Sequence, residues 1–327
     1  MIEIEALPKG RYLLGFSGGV DSSALFFLLL DSRVEFDIAI VDYGLREQSK
    51  DEVIYAKKLA SNFQKLCFFT QAPKFNRNFE SQAREFRYEF FSQIINMHKY
   101  DGLLLAHQLD DRFEWMMMQM CKGAGLNTLL GFDFVQNDRQ YLIYRPLWRT
   151  AKARLYEYCK ERGIEYFEDM SNNERTYTRN VFRAHLQPLI SQYSKGIERS
   201  LEYLLEEKKR LYRDCEIAYF GDIVSFKRRG QEEDLHQIDL LLKKRGYLLS
   251  SLQRKEIVKE KFSCEIAGEW VIASDERRIY LGSKIKNVMS KGFKELSRRL
   301  KIPPNIRPNA FSTYRNDQEL KDFFEKD

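Results

Sequence analysis

The sequence predicts an α/β fold: a parallel sheet with helices on both faces, followed by a helical linker domain and a small basic α+β C-terminal module. Three observations lead there. Short apolar runs alternate with helical patterns as far as about residue 147, and that alternation builds parallel sheets covered on both faces. Beyond that point the pattern turns helical. The charge also divides: residues 1–148 carry 17 basic and 19 acidic side chains, whereas residues 149–327 carry 37 and 29. A near-neutral front half and a basic second half suggest a catalytic domain followed by a part that holds a polyanion. A solvated Lys/Arg surface is the plain alternative.

The elements follow in order. Residues 12–16 are a short apolar run, Ser17-Gly18-Gly19 a turn, and residues 20–30 an apolar helix; together they read strand, loop, helix. Residues 36–41 and 66–70 are strands, separated by a helix over 50–63 with Val53, Ala56, Leu59, Ala60 and Phe63 at helical spacing. Residues 79–98 form a long helix, 102–106 a fourth strand, 109–121 a further helix and 141–147 a last strand. Helices are expected over 152–162, stopped by Gly163, and over 180–191 and 198–220. Strands are expected over 224–226, 266–273 and 277–281, and a basic helix over 291–300, stopped by Pro303-Pro304, which cannot continue a helix.

With 327 residues, 43% of them hydrophobic, the chain has length for two or three domains of about 100–200 residues each. We divide it into a catalytic domain (1–192), a mainly helical domain (193–262) and a basic C-terminal module (263–327). The composition excludes global disorder and collagen-like or Pro-rich chains. The longest apolar run, residues 24–30, is too short to span a bilayer. The first eight residues carry Glu3 and Glu5 without a basic stretch, unlike a secretory signal. Five scattered cysteines (67, 121, 159, 215 and 264) form no C-x-x-C pair, which fits a reducing, cytoplasmic location. His98, His185 and His236 have no metal-ligand spacing, and no metal site is expected in the protein itself.

The strongest chemical signal is Ser17-Gly18-Gly19-Val20-Asp21-Ser22-Ser23, at a strand end and a helix start. Adjacent glycines admit positive φ and let the backbone approach a ligand. The helix N-terminus aims N–H groups at that spot and favours an anion, and the serines add hydroxyls. Such a turn cradles a phosphate, yet it is neither a Walker A loop nor a G-x-G-x-x-G fingerprint. For Asp21 the plain alternative is a helix cap.

This stretch resembles the PP-loop of the N-type ATP pyrophosphatases, which cleave ATP between the α and β phosphates and adenylate an acceptor oxygen. Four further stretches narrow the resemblance. They are Tyr43-Gly44-Leu45-Arg46 with Ser49 and Glu52; Ala83-Arg84-x-x-Arg87-Tyr88-x-Phe90-Phe91; Leu104-Leu105-Ala106-His107-x-x-Asp110-Asp111-x-x-Glu114, with Gly123-Ala124-Gly125-Leu126 after it; and Glu168-Asp169-x-Ser171-Asn172, with Tyr177-x-Arg179-Asn180-x-x-Arg183 behind it. Together they resemble the tRNA(Ile)-lysidine synthase family over about residues 10–190. Lys301-Ile302-Pro303-Pro304 after a basic helix is similar to that family's C-terminal module. The chain departs from the family pattern at Gln108, which stands for a second histidine, at Arg112, Phe113 and Trp115 around Glu114, and at Val41-Asp42-Tyr43, where histidines are usual.

The resemblance implies ATP-dependent ligation of L-lysine to C2 of the wobble cytidine of a CAU-anticodon tRNA(Ile). An adenylated cytidine forms first, and AMP and pyrophosphate are released. ATP, with Mg²⁺, would bind at Ser17, Gly18, Gly19, Val20, Asp21, Ser22 and Ser23. Asp21, Arg87 and His107 are the catalytic candidates, with His107 as a proton shuttle near neutral pH. Asp111 and Glu114, one helical turn apart on one face, are the lysine-binding pair, and Asp110 is the helix-capping alternative. Tyr177, Arg179, Asn180 and Arg183 suit a splayed RNA strand. Lys291, Lys294, Arg298, Arg299 and Lys301 suit the tRNA backbone. No membrane and no protein partner is implied. Two other readings stay open: a PP-loop enzyme that thiolates a tRNA base, which usually needs paired cysteines or an iron–sulfur cluster, and a non-catalytic RNA-binding protein with a vestigial nucleotide fold. A small-molecule amidating ligase is a third, for which the basic C-terminal third is unnecessary.

Overall fold

The apolar runs of the first half form one sheet because their alternate residues feed two separate cores. The structure is a computed structural model that describes residues 2–44, 48–75, 79–138, 141–168, 178–212 and 215–325. The chain divides into two units, Met1–Lys209 and Arg210–Asp327.

The first unit contains β1 (Arg11–Gly15), α1 (Val20–Asp31), β2 (Glu35–Asp42), α2 (Gln48–Asn62), β3 (Cys67–Gln71), α3 (Phe79–His98), β4 (Gly102–Leu104), α4 (Leu109–Cys121), α5 (Leu126–Leu129), β5 (Val135–Asp138), β6 (Tyr141–Tyr144), α6 (Lys152–Arg162) and α7 (Thr178–Leu211). Its sheet runs in the order β3-β2-β1-β4-β6-β5. The first five of these strands are mutually parallel, and β5 pairs antiparallel with β6. Successive strand residues point to opposite faces. Tyr12, Leu14, Ile38 and Ile40 pack with Phe26, Leu29 and Leu155 of α1 and α6. Leu13, Ala39 and Ile143 pack with Tyr88, Phe91 and Ile95 of α3. Each Leu, Ile or Phe side chain so removed from water contributes about 1.5–3 kcal/mol. The parallel α/β fold predicted from the sequence is therefore found, with one strand it did not anticipate. Val135-Gln136-Asn137-Asp138 is a polar edge segment with no period-2 apolar pattern, held by hairpin pairing to β6.

The sheet reverses direction of growth between β1 and β4. Chain segments leaving those two strands therefore diverge above the carboxyl ends and leave a crevice, the usual ligand position in open α/β sheets. The Ser17–Gly19 turn leaves β1 on one side of it and His107 leaves β4 on the other.

α7 is bent at Tyr193, whose φ of −120° and ψ of 17° leave the helical region, five residues after Pro188. The two helices read from the sequence are thus found, meeting at this kink. The second stops at Leu211 rather than at residue 220, because Ile217–Phe220 forms a strand. Gly221, at φ +57°, turns that strand back on itself.

The second unit comprises β7 (Ile217–Phe220), β8 (Ile223–Lys227), α8 (Gln231–Lys244), α9 (Ser251–Lys259), β9 (Cys264–Ile266), β10 (Trp270–Ser274), β11 (Arg278–Ser283), α10 (Lys291–Arg299), α11 (Arg307–Thr313) and α12 (Asp317–Phe324). The antiparallel order is β7-β8-β11-β10-β9. Ile279 and Leu281 face Ile238, Leu242 and Ile257 of α8 and α9. Tyr280 faces the other way, onto Phe293, Leu296, Ala310 and Phe323 of α10–α12. Among the described residues no helix is long and apolar enough to cross a membrane.

Candidate active site

The turn after β1 is built by its own hydroxyls. Gly18 sits at φ +77°, which a side chain with Cβ rarely adopts. The Ser17 N–H donates to Ser22 Oγ (3.3 Å), Ser22 Oγ donates to Gly19 O (3.1 Å), and Ser23 Oγ donates to Gly18 O (3.3 Å). Phe167 reaches across from the segment after α6; its N–H donates to Gly18 O at 2.9 Å. The N-cap of α1 is Gly19, and no side chain caps it. The first amides of α1 are thus left without a side-chain acceptor beside the crevice, a position that favours an anion. Asp21 is not the cap; it lies in the first turn.

A cavity of about 360 Å³ occupies the crevice, lined by the turn, Asp21, Tyr43, Ser49, Glu52, Arg87, His107, Asp111 and Phe167. Asp21 and Arg87 both line it, and each holds one buried polar atom with no hydrogen-bond partner, Asp21 Oδ1 and Arg87 Nε. The other Asp21 oxygen is 3.9 Å from Lys152 Nζ. The Asp21 side chain keeps 28% of its surface, yet burial of its inner oxygen, reinforced by Asp111 and Asp110, raises its pKa to about 7; Lys152 and Arg183 oppose the shift. Arg84, one turn before Arg87, is committed elsewhere, donating to Tyr88 Oη at 3.2 Å. An orphaned carboxylate oxygen beside a phosphate-type cradle is a donor that fits a hard cation such as Mg²⁺. Among the described residues no three His, Cys, Asp or Glu side chains gather as a metal-ligand set.

His107 is enclosed. Its ring lies 5.1 Å from that of Phe132, and its Nδ1 accepts from Arg145 Nε at 3.3 Å. Burial lowers its pKa to about 3; Asp111 opposes, while Arg145, Arg87 and Arg84 add to the shift. The imidazole is therefore neutral at pH 7, and the proton shuttle expected from the sequence meets a site that disfavours the charged ring.

Around it the helix start is fully wired. Gln108, standing where the family pattern suggests histidine, is the N-cap of α4, with Oε1 accepting from the Asp110 N–H. The Gln108 N–H donates to Asp111 Oδ2 at 3.1 Å, completing a capping box. Asp110 serves the neighbouring helix, its Oδ1 accepting from the Lys152 N–H at 2.9 Å. Two of the departures around Glu114 are structural. Arg112 is fully buried, donates to Trp148 O at 3.2 Å and stacks over the Trp148 ring. Trp115 Nε1 donates to Thr128 O at 2.7 Å.

Asp111 and Glu114 do share one face of α4. Arg183 lies on it, with Nε 2.9 Å from Glu114 Oε1 and a terminal nitrogen 3.9 Å from Asp111 Oδ1. Arg183, taken from the sequence with the RNA-contacting set, thus reaches the carboxylate pair. Tyr177 and the side chains of Arg179 and Asn180 lie outside the described residues, as do Leu45 and Arg46. In the second unit, Lys291, Lys294, Arg298, Arg299 and Lys301 are exposed on and just after α10, whose Phe293 and Leu296 are buried. Sequence reading missed Arg145, Lys152 and Phe167. No sequence signal set Arg145 apart, because the expected strand ran over 141–147 and only the structure ends it at Tyr144.

Residues 3–190 match a family model described as a PP-loop domain. A tRNA(Ile)-lysidine synthase from Helicobacter pylori is 43% identical over 314 residues, covering 95% of this chain and 92% of that protein. One from Wolinella succinogenes is 42% identical, covering 94% of this chain and 95% of its own. One from Campylobacter jejuni is 39% identical, covering 94% of each. Among solved structures, the tRNA thiolase NcsA from Methanococcus maripaludis matches 61% of this chain and 74% of its own with a TM-score of 0.51 at 17% identity, a likeness of fold.

Proposed function

The chain belongs to the tRNA(Ile)-lysidine synthase family, and from that membership we infer that it is an ATP-dependent ligase that forms lysidine on tRNA(Ile). In the first half-reaction, O2 of the wobble cytidine of a CAU anticodon attacks the α-phosphorus of ATP, and pyrophosphate leaves. In the second, the lysine ε-amine attacks C2, and AMP departs with the former O2.

The observation that carries this reading is the crevice itself: uncapped α1 amides, an unpaired Asp21 oxygen and an unpaired Arg87 nitrogen around one cavity. Donors fixed in advance around a phosphoryl group that gains charge are the largest single contribution such a reaction can receive. The turn residues 17–23 hold the triphosphate, and Arg87 meets a phosphoryl oxygen. Mg²⁺, bound with the nucleotide, would offset charge on the leaving pyrophosphate, and Asp21 is our candidate ligand for it.

Asp111 and Glu114 receive the lysine cation in this reading, a role supported by the cation that already rests on them, that of Arg183. Tyr177, Arg179 and Asn180 contact the anticodon strand. Residues 1–192 carry the chemistry. Residues 193–262 and 263–327, which contribute strands to one sheet of the second unit, contact the rest of the tRNA, with Lys291, Lys294, Arg298, Arg299 and Lys301 on phosphates. The enzyme acts in the cytoplasm, where its substrates are.

The test is direct. The protein is incubated with ATP, Mg²⁺, labelled L-lysine and a CAU-anticodon transcript, alongside Asp21→Ala and Glu114→Ala. Label enters the RNA with the wild type and drops at least a hundredfold with either variant, the scale for removing one transition-state interaction (roughly 10²–10³). RNA that stays unlabelled with the wild type refutes the assignment, and labelling undiminished in both variants refutes their roles.

A further inference from the structure

Arg145 follows β6 directly and is almost wholly buried, with 3% of its surface exposed. Its planar fork is used in three directions: Nε donates to His107 Nδ1 (3.3 Å), one terminal nitrogen to Asp133 O (3.2 Å) and the other to Gln136 Oε1 (2.9 Å). The guanidinium also stacks 4.9 Å over the ring of Phe132, the ring that packs on His107. The fork is thus fixed before any substrate arrives.

A guanidinium only donates hydrogen bonds and is charged at any accessible pH. The nitrogen it donates to must therefore hold a free lone pair. With Nδ1 accepting, the neutral ring carries its proton on Nε2.

We propose that Arg145 is a positioning residue that locks His107 as the neutral Nε2–H tautomer, so that His107 offers the cavity a hydrogen-bond donor and not a base. The ligand class is a phosphoryl oxygen that gains negative charge; a neutral imidazole N–H is a known kind of electrophilic partner for such an atom. The charged groups around the ring agree. Arg145 beyond β6 and Arg84 and Arg87 on α3 oppose a second proton, and Asp111 on α4 alone favours it.

The donor role rests on the nucleotide reading of the cavity; the tautomer does not. The experiment keeps the two apart. Full-length protein labelled with ¹⁵N-histidine is examined by long-range ¹H–¹⁵N correlation across roughly pH 5–8, with His107→Gln identifying the resonance among the four histidines. Wild-type His107 shows an unprotonated Nδ1 and a protonated Nε2 throughout. A protonated Nδ1, or a ring that titrates near its ordinary value of about 6.5, overturns the proposal without touching the assigned function.

Arg145→Met releases Nδ1: the tautomers mix, the ring titrates within this range, and lysine incorporation gains an acid limb absent from the wild type. An unchanged spectrum in Arg145→Met overturns the proposal too. Should that variant not fold, Arg145→Lys keeps the charge without the planar fork and shows the same tautomer mixing; an unmixed ring there is again contrary. His107→Gln, which retains an N–H donor, keeps at least roughly tenfold more lysine incorporation than His107→Ala. Equal loss in both contradicts the donor role alone.

Discussion

Arg183 Nε lies 2.9 Å from Glu114 Oε1, joining the start of α7 to the buried face of α4. Glu114 keeps only 3% of its side-chain surface and Arg183 25%, so the two charges were withdrawn from water together. Removing one member of such a pair takes the nearest counter-charge from the other and costs up to about 3–5 kcal/mol. Arg183→Met therefore unfolds at markedly lower urea concentration than the wild type. Adding Glu114→Gln restores part of the loss, with a coupling on the order of 1–3 kcal/mol in a double-mutant cycle. Strictly additive losses would show that the pair contributes nothing.

Asp21 makes stability depend on pH in a stated direction. Its carboxyl is raised from 3.8 to about 7 in the folded chain, chiefly by burial. A raised acid favours the folded state while protonated, so its contribution is complete below about pH 4 and is lost as pH rises through about 7. Asp21→Asn removes that dependence. The ligand-free variant should match the wild type at pH 4 and exceed it above neutrality, the gap growing by at most about 1.4 kcal/mol per pH unit inside the window. Thermal melts of both proteins over that range check it; a gap that narrows with rising pH contradicts the raised carboxyl.

Gly18 offers a backbone test of the cradle. At φ +77° an added Cβ would also lie 3.4 Å from Glu52 and Phe167. Gly18→Ala combines roughly 1–2 kcal/mol of left-handed strain with displacement of the amides beside the cavity. ATP-dependent lysine incorporation should fall at least tenfold while the far-UV spectrum stays native. Gly125→Ala is the control, because nothing lies within 4 Å of its added Cβ and its φ is −80°. Equal activity in both variants would dissociate the turn from nucleotide use.

The parallel sheet, the turn and the α4 carboxylates were legible because each is local: apolar period, adjacent glycines, i to i+3 spacing. What escaped was assembled from distant segments. Arg145 reaches His107 from 38 residues away, and Phe167 meets the Gly18 turn through a lone backbone bridge. Neither interaction leaves a periodic trace. The neutral state of His107 was equally hidden, because its cause is burial beneath Phe132 and Arg145, which only the fold creates. Edge strand β5 escaped because its polar residues carry no alternation and it is held by β6.

The basic face of α10 provides the last test. Lys291, Lys294 and Arg298 recur at i, i+3 and i+7, one exposed stripe, while Phe293, Leu296 and Leu300 form the buried one. Reversing charge on the stripe therefore leaves packing intact. Each cation withdrawn from a phosphate lowers the dependence of log affinity on log salt by roughly one unit. Lys294→Glu with Arg298→Glu should weaken tRNA binding at low salt and flatten that slope by roughly two units. Arg299→Glu should do less, because Arg299 already faces Asp317 at 3.7 Å and a tethered cation has less to offer a phosphate. Filter binding between low and moderate salt distinguishes these outcomes; a double variant whose slope equals the wild type's removes α10 from the tRNA interface.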